Sequence, residues 1–510
     1  MKNVWQNVLK VASSAVLLAL FTAVSYAEIY YWVSSSFFEA SRLLYGSAFL
    51  SVLFLAVEIA ATLYFGIALF RSLYRPETKR CGVLTLALEL VVVALAIAMP
   101  FIGYFSRLTE GVVFVRTLPY FLVGFVAIFF LYLIPLALKK RAVAVVLIVA
   151  SLLFVAGIAA IPQFDGELTF DAAPAVFDNG TDFSVVWCTS DDSVGYLEYE
   201  YLGEKYVVYD AADGKYRTDS RVHTVHVPYD HLYGSTYTVS SAKVLLNASK
   251  KSKLGEFVTS EKYTFAAKAE GKLRILSVTD WHEKSDKIVA AASYKEYDLL
   301  LMMGDSVNYA NEFEDLIDHV VIPAGDMTGG TKPILFARGN HEPRGKYADR
   351  LKGILGYDAY YFKARYAGTN FLVFDSGEDS ADSEEKHGGL FVAESYRAKE
   401  LYEMEALPVL EGDTVCLSHI PDFTYEEDDE GYARFRAILA KQGVKLEVSG
   451  HEHFLGFYTD AGLSVLIGGG PTERYGYVSC YIEIEDGVAT IEAFDEEGDV
   501  VNVYGPVSLS

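Results

Sequence analysis

Seven side chains of types that bind transition metals occur in five short clusters in the second half of the chain. Imidazole nitrogens and carboxylate or amide oxygens together suit Mn, Fe or Zn. In chain order the clusters are Asp280-x-His282, Gly304-Asp305, Gly339-Asn340-His341-Glu342, His419 and Gly450-His451-Glu452-His453. A single Asp-x-His carries little information, but the ordered series predicts one metal site that is assembled from distant segments.

Each cluster directly follows a short apolar run, which predicts the elements that position it. The runs are Leu273–Val278, Leu299–Met303, Pro333–Ala337, Thr414–Ser418 and Leu446–Ser449. Runs of this length indicate buried strands, and open α/β sheets hold their ligands at the carboxyl ends of the strands. In an extended segment, residues i and i+2 project to the same side, so Asp280 and His282 can grip one cation.

Helix-like stretches alternate with these runs near 284–297, 312–321, 394–407 and 431–441, and the last quarter is rich in strands. The alternation of strands with helices, followed by a strand-rich last quarter, predicts a mixed α/β sandwich with helices on the outside.

The ordered clusters resemble the signature of the calcineurin-like metallophosphoesterase superfamily over about residues 272–470. The resemblance implies a four-layer α/β/β/α domain at 269–510 and two transition-metal ions, divalent or trivalent. It further implies that Asp280, His282 and His453 hold one ion, that Asn340, His419 and His451 hold the second, and that Asp305 bridges them. His341 would then be the catalytic imidazole that is not a ligand.

Two metal ions can clamp both the attacking and the leaving oxygen of a phosphoryl displacement and lower the pKa of a shared water. His341 would donate to the leaving oxygen or stabilise charge in the transition state. Arg344 is placed to contact a phosphate oxygen, although a structural arginine fits the sequence equally well. The acidic, glycine-containing segment 377–389 is long enough to form a lid on the substrate side.

Residues 163–268 contain short segments with alternating apolar and polar residues, which predicts a small antiparallel β-sandwich. The segments are Phe183–Trp187, Tyr196–Tyr201, Lys205–Tyr209, His223–Val227, Thr236–Val239 and Lys262–Phe265. This part is similar to the fibronectin type III-like domain that precedes the catalytic domain of purple acid phosphatases. The chain departs from the purple enzymes in having His282, and in having Asn308 where they have a tyrosine. His223, His226 and His231 lie here without a thiol or acidic partner at fixed spacing, so we interpret them as ordinary strand residues.

Residues 1–162 contain five apolar runs of membrane-spanning length, near 8–31, 45–70, 82–104, 117–138 and 142–161. Most basic residues flank one side of these runs, which predicts a cytoplasmic amino terminus and an extracytoplasmic position for 163–510. Residues 2–27 also fit a signal peptide, whose cleavage would leave four spans and the same location. Glu58 and Glu89 lie inside spans, where a carboxyl group is either part of a ligand or proton site or is kept neutral.

The net charge of the chain changes sign at the same boundary, near residue 162. Residues 1–162 carry 12 Lys/Arg and 6 Asp/Glu, and because the whole chain has a net charge of −24, the remainder carries −30. A region this acidic repels polyanions, so no nucleic-acid partner is expected.

The sequence therefore predicts a multi-pass membrane protein with a helical bundle at 1–162, a β-sandwich at 163–268 and an outward-facing dinuclear phosphoesterase domain at 269–510. Its expected partners are the lipid bilayer and a phosphorylated small molecule or other phosphoester, either monoester or diester. The alternative function is a non-catalytic sensor that binds a phosphorylated ligand and signals through the membrane bundle.

Overall fold

The structure, a computed structural model, describes residues 167–212, 216–248, 251–423 and 428–510. Within these ranges no helix is both long enough and apolar enough to cross a membrane. All five predicted spans, and Glu58 and Glu89 with them, lie outside the described residues. The membrane prediction therefore stays a prediction.

The described residues form 24 strands and seven short α-helices. The strands are β1 Ala175–Asp178, β2 Phe183–Tyr201, β3 Glu204–Tyr209, β4 Ala211–Ala212, β5 Tyr216–Arg217, β6 Ser220–Val227, β7 Thr236–Ala242, β8 Val244–Ala248, β9 Lys251–Leu254, β10 Val258–Thr259, β11 Tyr263–Thr264, β12 Leu273–Val278, β13 Leu299–Met302, β14 Pro333–Phe336, β15 Phe362–Tyr366, β16 Thr369–Val373, β17 Thr414–Leu417, β18 Leu446–Ser449, β19 Leu455–Asp460, β20 Leu463–Gly468, β21 Gly470–Thr472, β22 Gly476–Glu485, β23 Val488–Phe494 and β24 Val500–Ser508.

The α-helices are α1 Tyr229–Leu232, α2 Ser285–Ala291, α3 Phe313–Leu316, α4 Ile322–Thr328, α5 Leu351–Leu355, α6 Ala393–Glu405 and α7 Asp429–Lys441. A π-helical turn, Ile317–Val321, joins α3 to α4, and two 3₁₀ turns occur at Ala348–Arg350 and Glu385–His387. All four predicted helical stretches contain helix.

The described residues fall into two units: residue 167 with 244–255, and residues 168–243 with 256–510. In the first unit the described part is essentially the hairpin formed by β8 and β9. All the candidate site residues lie in the second unit.

The larger sheet of the second unit has the order β10-β7-β2-β1-β14-β13-β12-β22-β23-β24, and a six-stranded sheet has the order β15-β16-β17-β18-β20-β19. The strands β12, β13 and β14 are mutually parallel, as are β16, β17, β18 and β20. Their carboxyl ends therefore lie at the same edge of each sheet, where the candidate ligands follow.

Alternate residues of β12 point into different cores. Leu273 and Ile275 pack between the two sheets, whereas Leu276 and Val278 face the core that contains residues of α2 and α4. A further core lies between the six-stranded sheet and helices α6 and α7. The layers are thus helix, sheet, sheet, helix, and burial on both faces explains why the core strands read as continuous apolar runs.

All six strand segments predicted within 163–268 contain strand, but two of them merge into the single 19-residue strand β2. Its first part pairs with β1 and β6, and its second part pairs with β3 and β7 after a register shift between Cys188 and Ser193. Strand β1 also pairs in parallel with β14. The predicted domain boundary near residue 268 therefore does not coincide with a break in the larger sheet.

Candidate active site

The predicted metal-binding residues meet at the carboxyl ends of β12, β13, β14, β17 and β18. Their ligand atoms form two groups: Asp280, His282, Asp305 and His453 in the first, and Asp305, His419 and His451 in the second. Asp305 belongs to both groups. The resemblance implies the same grouping of these six side chains, with Asn340 as a further ligand of the second ion.

Ligand atoms in the first group are separated by short distances. His282 Nε2 lies 3.1 Å from His453 Nε2, and His453 Nε2 lies 3.3 Å from Asp280 Oδ1. Asp305 Oδ2 is 3.8 Å from His282 Nε2. Atoms bound to one Zn²⁺ at about 2.0–2.2 Å stand about 3–3.5 Å apart, so this arrangement fits a shared cation.

Asn340 adds an oxygen to the second group. His419 Nε2 lies 3.3 Å from Asp305 Oδ2, and Asn340 Oδ1 lies 3.0 Å from His451 Nδ1. His419 Nδ1 donates to the carbonyl oxygen of Met303, which leaves the lone pair of Nε2 directed at the two carboxylates of the site. The buried Nε2 has no aligned hydrogen-bond partner within the described residues. An imidazole fixed in this tautomer is suited to bind a metal ion.

The carboxylates and imidazoles of the site shift the pKa values of one another. Burial alone would lower the pKa of His419, but the carboxylates of Asp305 and Asp280 raise it to about 10. Burial would raise the pKa of Asp305, yet the imidazoles of His419 and His341 lower it. The two carboxylates thus concentrate negative charge around the His419 ring, and a metal ion held there would compensate that charge. These residues fit a transition-metal centre.

The backbone is strained where the ligands sit. Five of the seven candidates have positive φ angles between 39° and 70°: Asp280, His282, Asp305, His451 and His453. Residues other than glycine adopt this region at a cost of order 1–3 kcal/mol, and such residues cluster at functional sites. Stored strain at five convergent positions is independent evidence that the loop ends are shaped for binding.

Two glycines allow the loops to approach closely. A Cβ atom at Gly304, which has φ of +85°, would lie 2.4 Å from the backbone nitrogen of Gly339. A Cβ atom at Gly450 would lie 1.9 Å from Thr279 Oγ1 and 2.6 Å from Asp280 Oδ2. The glycine before Asp305 and the glycine before His451 are therefore required by packing.

The buried side chain of Trp281 anchors the Asp280-x-His282 segment. Its indole is buried, and Nε1 donates to the carbonyl oxygen of His319 at 2.8 Å. Pro323 has no N–H and so cannot donate to that carbonyl, which lies four residues earlier in the helical run. The indole contact with this carbonyl fixes Trp281, the residue between two candidate ligands.

His341 lies beside the two groups and belongs to neither of them. Its Nδ1 contacts the carbonyl oxygen of Asn308 at 2.9 Å, and its Nε2 is 3.9 Å from Asp305 Oδ2. A carbonyl can only accept, so Nδ1 carries a proton and Nε2 faces the site. Tyr309 is half exposed, with its ring 6.2 Å from that of His341, and is not part of either group.

The guanidinium of Arg344 is largely occupied by acidic side chains. Nε and Nη2 donate to the buried carboxylate of Glu378, and Nη2 also donates to Asp379 Oδ1 at 3.0 Å. Nη1 lies 3.2 Å from His341 Nε2. The predicted contact with a substrate phosphate therefore has few donors available, and the structural alternative is the better supported of the two.

Three acidic residues that support the site had no role in the sequence prediction. Glu342 is buried and accepts from the backbone N–H groups of Gly339, Asp305 and Ser306, so it ties the loops after β13 and β14 together. Glu378 and Asp379 lie after β16 and reach the site through Arg344 and Asn340. Glu342 stood in a recognised cluster, whereas Glu378 and Asp379 were noted only as part of the acidic segment 377–389 and were given no individual role.

The remaining described histidines serve other contacts. His223 is buried between Asp210 and Ser193, His226 pairs with Asp182, and His231 contacts the hydroxyl of Tyr199. His387 contacts Ser380, and His319 contacts Ser285. None of them belongs to a metal-competent group in the described part of the chain.

Residues 273–455 match the family of calcineurin-like phosphoesterases. All seven candidate ligands and His341 fall within that range. No curated protein has a sequence that matches this chain. The protein therefore carries a calcineurin-like phosphoesterase domain and is a metal-dependent hydrolase.

Several solved structures are similar over part of the chain. PhoD is 11% identical, with a TM-score of 0.38, and the match covers 66% of this chain and 92% of PhoD. GAP50, the anchor in the inner membrane complex of Plasmodium, is 14% identical, with a TM-score of 0.35 and coverage of 47% and 90%. Phosphopantetheinyl hydrolase from Mycobacterium tuberculosis is 13% identical, with a TM-score of 0.29 and coverage of 40% and 92%. Structural similarity at TM-scores this low does not identify a substrate.

Proposed function

We propose that the calcineurin-like phosphoesterase domain hydrolyses phosphate esters with two metal ions, and that it works outside the cytoplasm on a membrane-anchored chain. One observation supports the dinuclear centre above all others: Asp305 belongs to both metal-competent groups. A single tetrahedral ion needs four ligands, and this site offers seven, including the Asn340 amide.

The two groups would hold one ion each and share Asp305. The first ion would take Asp280, His282 and His453, and the second would take Asn340, His419 and His451. When bound, the ions supply Lewis acidity and an activated water at near-neutral pH. The protein residues hold the ligand atoms in place: Thr279 Oγ1 donates to Asp280 Oδ2 at 2.6 Å, and the backbone N–H of His341 donates to Asp305 Oδ1 at 3.0 Å.

His341 would act on the leaving oxygen. Its Nδ1–H is committed to the Asn308 carbonyl, so only Nε2 can exchange a proton with substrate. Arg344 Nη1 donates to Nε2 at 3.2 Å, so this contact would have to open before Nε2 carries a proton. The doubly protonated ring would then pass that proton to the departing oxygen, and the neutral ring would remain bound to Asn308 through Nδ1–H. This role needs the imidazole to be outside the ligand groups, as it is.

The membrane part of the proposal is supported by sequence alone. Five apolar runs of spanning length and the one-sided distribution of basic residues favour a multi-pass anchor with residues 163–510 outside. Substrates would then be phosphoesters that meet the outer membrane face.

A test uses the full chain in detergent, stripped of metal and reloaded with Mn²⁺ or Zn²⁺. We expect about two ions per chain and hydrolysis of at least one class in a panel of phosphomonoesters, phosphodiesters and nucleotides. The Asp305→Asn variant is the control and should lose both metal and turnover. Two ions with no turnover, together with saturable binding of a phosphorylated ligand, would favour the sensor alternative.

A further inference from the structure

Asp379 contacts a candidate metal ligand from outside the two groups. Its Oδ2 accepts from Asn340 Nδ2 at 3.1 Å, and its Oδ1 accepts from Arg344 Nη2 at 3.0 Å. Asp379 lies 39 residues beyond Asn340 in the chain, and its side chain is about one-third exposed. It brings a negative charge next to the site without facing either group.

The contact sets which end of the Asn340 amide faces the second group of candidate ligands. An amide presents an oxygen at one end and an NH₂ group at the other, and only the oxygen binds a cation. A carboxylate has no proton to donate, so Asp379 draws the NH₂ end to itself. The oxygen is thereby turned toward His451 Nδ1, 3.0 Å away, in the second group.

The loop that carries Asp379 is itself held in place by buried polar side chains. Arg397 on α6 donates from Nη1 to the carbonyl oxygens of Ser376 and Glu378. Glu400, also on α6, accepts from the N–H of Asp375 at 2.8 Å. The side chain of Asp375 in turn binds Arg338 in a two-pronged ion pair. Both Arg397 and Glu400 are buried, so the position of Asp379 is set before any metal binds.

We propose that Asp379 is a positioning residue that orients the Asn340 amide so that its oxygen is available to the second ion. The inference rests on the proposed function, in which Asn340 is a ligand. Loss of Asp379 would free the amide to rotate and would weaken the second ion. Residues that orient ligands in this way typically contribute about 10–100-fold to metal affinity.

The experiment is a metal titration of the full chain in detergent with Mn²⁺, followed by calorimetry and by elemental analysis. For Asp379→Ala we expect the weaker-bound ion to lose about 10–100-fold in affinity while the other ion keeps its own. Asp379→Asn can present either an oxygen or an NH₂ group to Asn340, so it should restore only part of the affinity. Asp382→Ala is the matched control, because Asp382 lies in the same loop and accepts from the backbone at the start of α6 instead of from the site.

A double variant separates orientation from general damage to the loop. In the Asn340→Ala background, Asp379→Ala should cause no further loss, because there is no amide left to orient. Equal weakening of both ions, or additive losses in the double variant, would overturn the assignment. Two ions in the wild type with unchanged affinity in Asp379→Ala would overturn this inference alone, whereas one ion in the wild type would overturn the proposed function and this inference with it.

Discussion

His341 differs from the neighbouring histidines in what its two ring nitrogens contact. His419 has one nitrogen on a backbone carbonyl and the other directed at both carboxylates of the site. His341 also has Nδ1 on a carbonyl, but its Nε2 is 3.9 Å from the nearest carboxylate oxygen of Asp305 and 3.2 Å from Arg344. Two histidines with similar anchoring are thus suited to different work, one as a ligand and one as a proton donor.

The His341→Ala variant should therefore retain its metals and lose turnover. We expect kcat to fall by about 10²–10⁴, the usual contribution of a positioned acid or charge stabiliser, with the metal content unchanged. The loss should be smaller for aryl phosphates, whose leaving oxygen needs less protonation in the transition state. Steady-state kinetics on an alkyl and an aryl ester, with elemental analysis of the same sample, check both points.

Two other outcomes would contradict the role assigned to His341. An equal loss for both esters would remove the acid role and leave electrostatic stabilisation. Loss of metal would place His341 among the ligands.

The residues that the sequence could predict are those with a local pattern. Each candidate ligand follows a short apolar strand, often after a glycine, and that pattern is visible in the chain without a structure. Asp379 and Glu378 follow β16, but they stand in an acidic segment with many similar residues. Their contacts with Asn340 and Arg344 arise from the packing of the loop after β16 against the loop after β14. No spacing in the sequence encodes that contact.

The loop at the end of β13 has no room for a Cβ atom at Gly304. The carbonyl oxygen of Gly304 accepts from the N–H of Asp280, and a Cβ atom at Gly304 would meet the backbone of Gly339 at 2.4 Å. Any shift of Gly304 therefore displaces both Asp280 and Asp305.

We expect Gly304→Ala to weaken metal binding at least tenfold and to lower the stability of the chain by more than the about 1–2 kcal/mol that a positive φ alone costs. Gly462→Ala is the matched control, because Gly462 has φ of +84° and nothing within 4 Å of an added Cβ. The control should show the strain cost and normal metal affinity. Equal metal affinity in the two variants would show that the backbone contact is unimportant.

Strand β18 contains a buried acid that should make stability depend on pH. Glu447 accepts from the N–H of Asp422 and from Ser449 through Oε1, while Oε2 has no hydrogen-bond partner among the described residues. Burial raises the pKa of Glu447 to about 8, with the charge of Asp422 adding to the effect. The folded chain therefore keeps this proton at neutral pH, whereas the unfolded chain releases it above about pH 4.5.

A raised pKa in the folded state means that stability falls as pH rises between the two pKa values. From pH 5 to pH 8 this group should lower the free energy of unfolding by a few kcal/mol. Glu447→Gln cannot ionise and should flatten the slope, as measured by denaturant unfolding of the full chain in detergent. The exposed Glu405→Gln is the control and should keep the wild-type slope, and an unchanged slope in the Glu447→Gln variant would contradict the prediction.

Helices and strands were predictable where a pattern continued without interruption. The stretch 312–321 was predicted as helix, and the helix in fact continues to Thr328 through Pro323. Pro323 lies in the first turn of α4, directly after the π-helical turn, where the absence of its N–H is tolerated. The parallel pairing of β1 with β14 joins segments more than 150 residues apart, so the extension of the larger sheet could not be read from spacing.

In the whole molecule, the charge of the candidate metal site differs from the charge of the region around it. Residues 163–510 carry a net charge of −30, yet the site offers mainly imidazoles and two carboxylates of Asp280 and Asp305. Two divalent ions would outweigh those carboxylates and attract a phosphate locally. The acidic surface would repel polyanions over a longer range, falling off beyond about 10 Å at moderate salt. The arrangement favours small phosphoesters as substrates.

The orientation of the chain in the membrane can be tested with one added thiol. Leu202 lies at the β2–β3 turn and is 86% exposed, whereas the native Cys188, Cys416 and Cys480 are buried. In intact cells, Leu202→Cys should react with a membrane-impermeant maleimide, because the distribution of basic residues predicts that 163–510 lie outside. Cys81 follows the basic segment 71–80 and is predicted to be cytoplasmic, so the wild-type chain should label only after permeabilisation. Protection of the added cysteine in intact cells, with labelling after lysis, would reverse the orientation and bring the catalytic site into the cytoplasm.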